Sequence, residues 1–398
     1  MIENYFHKKI TLCLGFLILN NYLLLSLSFS TFVLKINFTL FIITLLLFYF
    51  KNFKNNIYLK IFLLLIISIS LGAPVFEWDA RSIWLFHAKR IFFDNSIFSI
   101  SDNYAVFSHN DYPSVGPAFA SSLATLFGFW NEVLPKLAFT LLYLPPLIFT
   151  YTILREDRYL IFLSLVFFII GKQLFSGLAD GLIAIYFCLS AYLMYDLIIN
   201  RYKSANKNII NYLISLIFFT TLTLIKNEGL VLLLILFFST VTICLFKQKI
   251  LENLLAITIL SSSFVPILLW KYFCYSNGIV NEHINSNFVV NLIPRLKEFN
   301  NYVLIFKFFI LNEKFLLSLL FFIISFWFKF NKTLLSFVTV ALGFYFLVIF
   351  LIFLATPVDF YFQLNSSAAR IVKTLSFSLA FFALYNLSSK NLLNNRLT

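Results

Sequence analysis

A set of carboxylates and one guanidinium stand out in a chain that is otherwise poor in charge: Glu77, Asp79, Asp111, Asp180, Glu228, Glu282, Asp359 and Arg370. A carboxylate can take a proton from a hydroxyl or ligate a hard cation, and a guanidinium can hold a phosphate. Several of these residues stand where an apolar run ends or begins. Asp79 follows the third run, Asp180 opens the sixth, and Glu228 lies between the seventh and eighth. Charges near a bilayer are costly and tend to mark functional sites or water-filled cavities. Taken singly, each could instead cap a helix end or solvate a turn. His87 and His109 lie in the same stretches, although a lone histidine is more often structural.

Two segments frame these acids. In the first, Glu77-Trp78-Asp79-Ala80-Arg81 leads through Trp84, Phe86 and His87 to Lys89 and Arg90. As a helix it would place Asp79, Ile83, Phe86 and Arg90 on one face. Its mixture of aromatic and basic residues suits a helix lying among lipid headgroups; an aromatic belt without chemistry reads the same way. In the second, His109-Asn110-Asp111-Tyr112-Pro113 is followed by Pro117. The prolines extend the residue before them and stiffen the entry to the next helix, which makes a rigid turn presenting Asp111.

The elements that carry these residues follow from composition. The 398 residues are 61% hydrophobic and 12% charged, with a mean hydropathy of +0.91. A soluble domain has about 25% charged residues, so the apolar surface belongs in lipid. Apolar runs occur at 10–30, 33–50, 57–76, 134–154, 159–176, 178–198, 209–225, 229–246, 253–273, 302–328, 334–356 and 371–388. Backbone groups in lipid must bond internally, so the runs are expected as about twelve spanning helices in one all-α domain over 1–398. No A-x-A site follows the first run, which reads as a retained helix rather than a signal peptide. The four cysteines form no C-x-x-C pair. The net charge of +13 excludes little by itself, but without a soluble fold it does not point to nucleic acid.

With the N-terminus inside, alternate short connections are basic: Lys51, Lys54 and Lys60; Arg155 and Arg158; Arg201, Lys203 and Lys207; Lys247 and Lys249; Lys329 and Lys332; Lys390 and Arg396. This orientation puts the acids and Arg370 on the outer side. It also makes 77–133 a large outer loop with interfacial helices and 274–301 a second outer loop. Residues 115–131 are apolar enough to span, but spanning would invert every basic loop downstream. They are expected to lie in the outer interface or to dip partly in.

These residues resemble the GT-C glycosyltransferases, in particular the protein O-mannosyltransferase and aminoarabinose-transferase branch (glycosyltransferase family 39). Trp78-Asp79-Ala80 is similar to the acid that follows an early helix in that family. Asp111-Tyr112-Pro113 resembles its acid-and-proline turn, and Ala179-Asp180-Gly181-Leu182 its later helix-opening acid. Lys226-Asn227-Glu228-Gly229 resembles a turn of bacterial members, and Ser366-Ser367-Ala368-Ala369-Arg370 a Ser/Arg patch ahead of the last helix. The sequence departs from the longer members in lacking a soluble C-terminal domain. It also has two spans before the core helix, and Tyr-Pro-Ser in place of a frequent Pro-Pro pair.

The resemblance implies a GT-C-like bundle in a bacterial plasma membrane with its site facing the exterior. The enzyme would move a sugar from a polyprenyl-phosphate donor to a glycan, lipid or protein acceptor, with inversion. Asp79 would be the base. Asp111 would assist it, and Asp111 and Asp180 would orient the acceptor or hold Mg²⁺ or Mn²⁺. Arg370, with Lys89, Arg90, Tyr112 and Glu228, would meet donor and phosphate. A flippase for a lipid-linked glycan would instead spread charge at several depths, often with internal repeats. A polysaccharide polymerase or ligase would carry its major loop late in the chain.

Overall fold

The computed structural model describes residues 2–51, 56–98, 108–154, 156–199, 205–246, 254–279, 287–357 and 359–388. Of the charges named above, Lys54, Arg155, Arg201, Lys203, Lys247, Lys249, Glu282, Lys390 and Arg396 lie outside them. Within them the chain is helical, with no strand. α1 (Ile2–Ser26) and α2 (Thr31–Phe50) form an opening hairpin, and α3 (Ile57–Gly72) leads into the first polar segment. There a π-helical turn (Ala80–Trp84) runs into α4 (Leu85–Asp94), and α5 (Val115–Phe127) follows. α6 (Val133–Leu141) and α7 (Leu144–Ile153) together make one span, and α8 (Glu156–Ile169) precedes a 3-10 turn (Gly171–Leu174). α9 (Asp180–Ile199), α10 (Ala205–Ile225) and α11 (Asn227–Phe246) come next, then α12 (Leu254–Ser262) and α13 (Val265–Ser276). The chain continues through α14 (Asn287–Lys297), α15 (Phe299–Ile310), α16 (Glu313–Phe328), α17 (Lys332–Ala355) and α18 (Phe360–Ser388).

The bundle centres on α9 and α1. α9 is apolar all round, as a fully surrounded helix should be. It is buried without a break from Gly181 to Ala191 and packs on α7, α10, α11 and α18. α1 packs on α2, α5, α7 and α10. The outer helices leave large apolar side chains uncovered, among them Phe32, Leu64, Leu268, Leu317 and Trp327. Exposing each to water would forgo about 1.5–3 kcal/mol, so such rows belong in lipid. Among the described residues, eight helices or helix pairs are long and apolar enough to cross a bilayer, and nine if one bent pair counts as a span. They mark an integral membrane protein.

All twelve apolar runs are helical over most of their length, but several differ from simple spans. The run 302–328 is broken by 75° between α15 and α16. The Asn312 side chain accepts from the Phe315 amide at 3.0 Å and starts a new helix there. The last helix begins well before 371, so Arg370 sits inside α18 rather than ahead of it. The stretch 274–301 is largely helix among its described residues, with α14 packed on α17 rather than looping freely.

Helix α5 resolves the position of 115–131. Its 13 residues span about 20 Å at 1.5 Å per residue, short of the ~30 Å hydrocarbon layer. Every residue from Val115 to Thr125 is buried, among α1, α2, α4 and α6. It is a short helix enclosed by protein, not one lying on the bilayer surface. Gly116 permits this: a Cβ there would stand 2.7 Å from the Phe139 ring of α6.

Candidate functional site

The π turn sets up the first acid. It widens the helix by one residue just after Asp79, and such turns are frequent at functional sites. It also shifts the helical phase. Ala80, Ile83, Trp84, His87, Ala88 and Ile91 face the protein, while Phe86 leaves the face on which an uninterrupted helix would put it. The second position is a corner. Gly229, in the first turn of α11, donates its amide to the Lys226 carbonyl at 2.8 Å. It crosses α10 so closely that a Cβ would fall on the Leu222 carbonyl. That approach folds Lys226, Asn227 and Glu228 into a tight turn between α10 and α11.

Charges from remote stretches of chain meet around this corner. Arg370 Nη1 donates to Asp79 Oδ2 at 2.5 Å and stands 4.0 Å from Asp180 Oδ2. Lys226 Nζ bonds Asp180 Oδ1 at 3.1 Å and Glu228 Oε1 at 2.8 Å. Asp79, Arg370, Asp180, Lys226 and Glu228 therefore form one chain of alternating sign. Burial opposes the charge on Lys226, but the carboxylates of Asp180 and Glu228 outweigh it and hold its pKa well above the usual lysine range.

Asp111 anchors a second group. Its Oδ2 accepts from Asn227 Nδ2 at 2.6 Å and from Lys271 Nζ at 3.2 Å. Its carbonyl accepts from Trp270 Nε1 at 2.9 Å. Lys271 Nζ also donates to Asn227 Oδ1 at 2.7 Å. Tyr112 joins the two groups. Its ring stacks on Trp84 (5.6 Å between centroids) and on His109 (4.8 Å), with the Lys226 ammonium 5.7 Å from its centroid. Burial raises the Tyr112 phenol pKa, so the group stays neutral.

The structure thus brings together Asp79, Asp111, Tyr112, Asp180, Glu228 and Arg370. It leaves out Lys89, which is exposed on α4. Arg90 is also elsewhere: its guanidinium turns back to the carbonyls of Ser96 and Ile97 at 2.8 and 2.9 Å, closing the end of its own helix. Glu77 pairs with Lys172 at 2.5 Å, and Asp359 caps α18 through the Phe362 amide at 2.8 Å. The structure adds Lys226, Asn227, Trp270 and Lys271. Lys271 carried a readable signal, a lone cation inside an apolar run.

The residues do not fit a divalent cation shared by Asp180 and Asp111. Each carboxylate bonds a different lysine, and the described residues include no group of three His, Cys, Asp or Glu side chains placed to share an ion. An ammonium stands against each acid where an oxygen-lined cation would need further oxygen ligands.

His87 is a structural histidine. It is buried, and its Nε2 meets the Ser108 carbonyl at 2.7 Å. Burial lowers its pKa to about 4, against the pull of that carbonyl. The unfolded chain takes up this proton near pH 6.5 and the folded chain only near pH 4. Stability present above pH 6.5 should therefore fall as pH drops through this window, by up to about 3 kcal/mol. Thermal unfolding in detergent between pH 4 and 7 should show this slope, and His87→Gln should flatten it.

No protein-family model matches the chain, and neither a curated protein nor a solved structure is significantly similar to it.

Proposed function

We propose that this charged cluster is the site of a membrane glycosyltransferase that moves a sugar from a polyprenyl-linked phosphate to a hydroxyl acceptor. The observation that carries the reading is the Asp79–Arg370 pair. A carboxylate and a guanidinium from opposite ends of the chain meet at 2.5 Å with both side chains part-exposed, at 28% and 36%. Transfer needs both groups side by side, one to take a proton and one to meet a departing phosphate.

The acceptor oxygen attacks the anomeric carbon while its proton passes to Asp79. The bond from that carbon to the phosphate oxygen breaks, and its electron pair leaves with the phosphate. Attack from the opposite face inverts the centre. Arg370 holds the Asp79 carboxylate in place at rest and turns toward the phosphate as negative charge develops there. Asp111 is better placed to position than to react. Its side chain is only 5% exposed and both Lys271 and Asn227 hold it. Asp180, itself held by Lys226, steadies Arg370 from behind. The apolar exterior supports a reaction at a bilayer surface, and the basic connections favour the outer face of a bacterial plasma membrane. The test is to incubate the purified protein with polyprenyl-phosphate sugars and a hydroxyl acceptor, and to follow released lipid phosphate. No release with any such donor would remove the reading.

A further inference from the structure

Beside the Asp79–Arg370 pair lies a group of lysines that the transfer chemistry does not use. Lys373 is one turn beyond Arg370 on α18 and half-buried on a membrane-spanning helix. It has no hydrogen-bond or ion-pair partner among the described residues, and it lies within electrostatic reach of Asp180, Lys314, Lys172 and Arg370. Lys314, in the first turn of α16, has no carboxylate partner among the described residues either. Its Nζ reaches the Ile169 carbonyl at 3.4 Å and the face of Phe168 at 5.4 Å. Lys172, on the 3-10 turn, is paired with Glu77. Asp180 is already met by Lys226 and Arg370. Two ammonium groups, Lys314 and Lys373, are thus gathered with no acid of their own, which is costly beside lipid unless an anion joins them.

An apolar groove begins next to them. It has a volume of about 650 Å³ and runs along α15, lined by Phe299, Tyr302, Val303, Phe306, Ile310 and Leu311 with the Lys307 stem. Leu311 precedes Lys314 by three residues, so their backbones are at most about 11 Å apart. An open apolar groove leading to these lysines fits an amphiphile with an anionic head and a hydrocarbon tail. The charge selects the head. A sugar on a lipid monophosphate carries one negative charge at neutral pH, and a sugar on a lipid diphosphate carries two. Among the described residues, the two cations gathered at this end of the groove, Lys314 and Lys373, lack an acid.

We propose that Lys314 and Lys373, flanked by Lys172, seat the diphosphate of a polyprenyl-diphosphate donor whose chain lies along the α15 groove. This rests on the reading of the neighbouring cluster as a transferase site, and it names the donor class that the site takes.

Binding to the purified full chain, at fixed ionic strength, tests it. At about pH 5.5, where a phosphate monoester carries about one negative charge and a diphosphate monoester about two, farnesyl diphosphate should bind on the order of tenfold more tightly than farnesyl monophosphate, as expected from one further set of charge-assisted contacts. Lys314→Gln and Lys373→Gln should each abolish that preference, and Lys373→Arg, which keeps the charge, should preserve it. Val303→Asn should weaken farnesyl diphosphate and leave inorganic diphosphate unchanged. Asp79→Asn should bind farnesyl diphosphate at least as well as the wild type, because capture does not need the base. Equal affinity for the two farnesyl compounds would overturn the proposal, as would a preference that survives both glutamine variants. So would equally strong competition from phosphatidylglycerol vesicles, which would make the lysines a general seat for anionic lipid. If the monophosphate donor alone supports transfer, the diphosphate assignment fails while the transferase reading stands.

Discussion

Asp79→Asn is expected to lower sugar transfer by about 10²–10⁴-fold, the usual contribution of a positioned general base. The amide keeps the shape and can still meet Arg370, but it cannot take the acceptor proton. The fold should survive. The Asp79–Arg370 pair is part-exposed, and such pairs contribute on the order of 1 kcal/mol or less. The protein should therefore elute and melt nearly as the wild type does while releasing little lipid phosphate. Full turnover by the variant would take Asp79 out of the chemistry and leave Arg370 as a structural clamp on the first polar segment. Arg370→Lys gives a useful contrast. It keeps the charge but loses the planar fork, so transfer should fall although a cation still stands beside Asp79.

The largest effect on stability is expected at Lys226. Lys226→Met removes the cation between Asp180 and Glu228, which it bonds at 3.1 and 2.8 Å. Two carboxylates would then face each other, with Arg370 at 4.0 Å from Asp180 and the more distant Lys373 left to compensate. Breaking a buried ion pair from one side costs about 3–5 kcal/mol. Lys226 and Asp180 are 9% and 12% exposed, so most of that cost should appear as a lower melting temperature in detergent. Lys226→Met combined with Asp180→Asn should recover much of the loss, because the uncompensated charge rather than the missing contact is what destabilises. An unchanged melting temperature for the single variant would mean that water or lipid headgroups already solvate these acids.

The sequence carries much of this arrangement, unevenly. Long apolar runs are readable because lipid demands internally bonded backbone, and those runs are helices here. The break at Asn312 was not readable. A single capping side chain inside a long apolar stretch decides it. Among the site residues, the acids stood out because charge is rare in this chain. Their partners were harder to see. Lys226 and Asn227 were in view as part of a short motif, but their contacts depend on how closely Gly229 lets α11 cross α10. Arg90 illustrates the opposite error. The resemblance implies a phosphate ligand there, whereas the guanidinium is taken up by two carbonyls just past the end of α4. Local pattern does not show which end of a helix lacks donors.

The π turn at Ala80–Trp84 has a consequence of its own. Successive residues of an ordinary helix are rotated by about 100°, so one surplus residue sets the direction of everything before it. Asp79 lies immediately upstream, while Trp84, His87 and Ala88 lock the downstream face into the protein. The bearing of the Asp79 carboxylate is thus fixed by a count of peptide units rather than by any side chain. Shortening the loop by one amino acid would swing Asp79 away from its guanidinium without altering a single residue of the site.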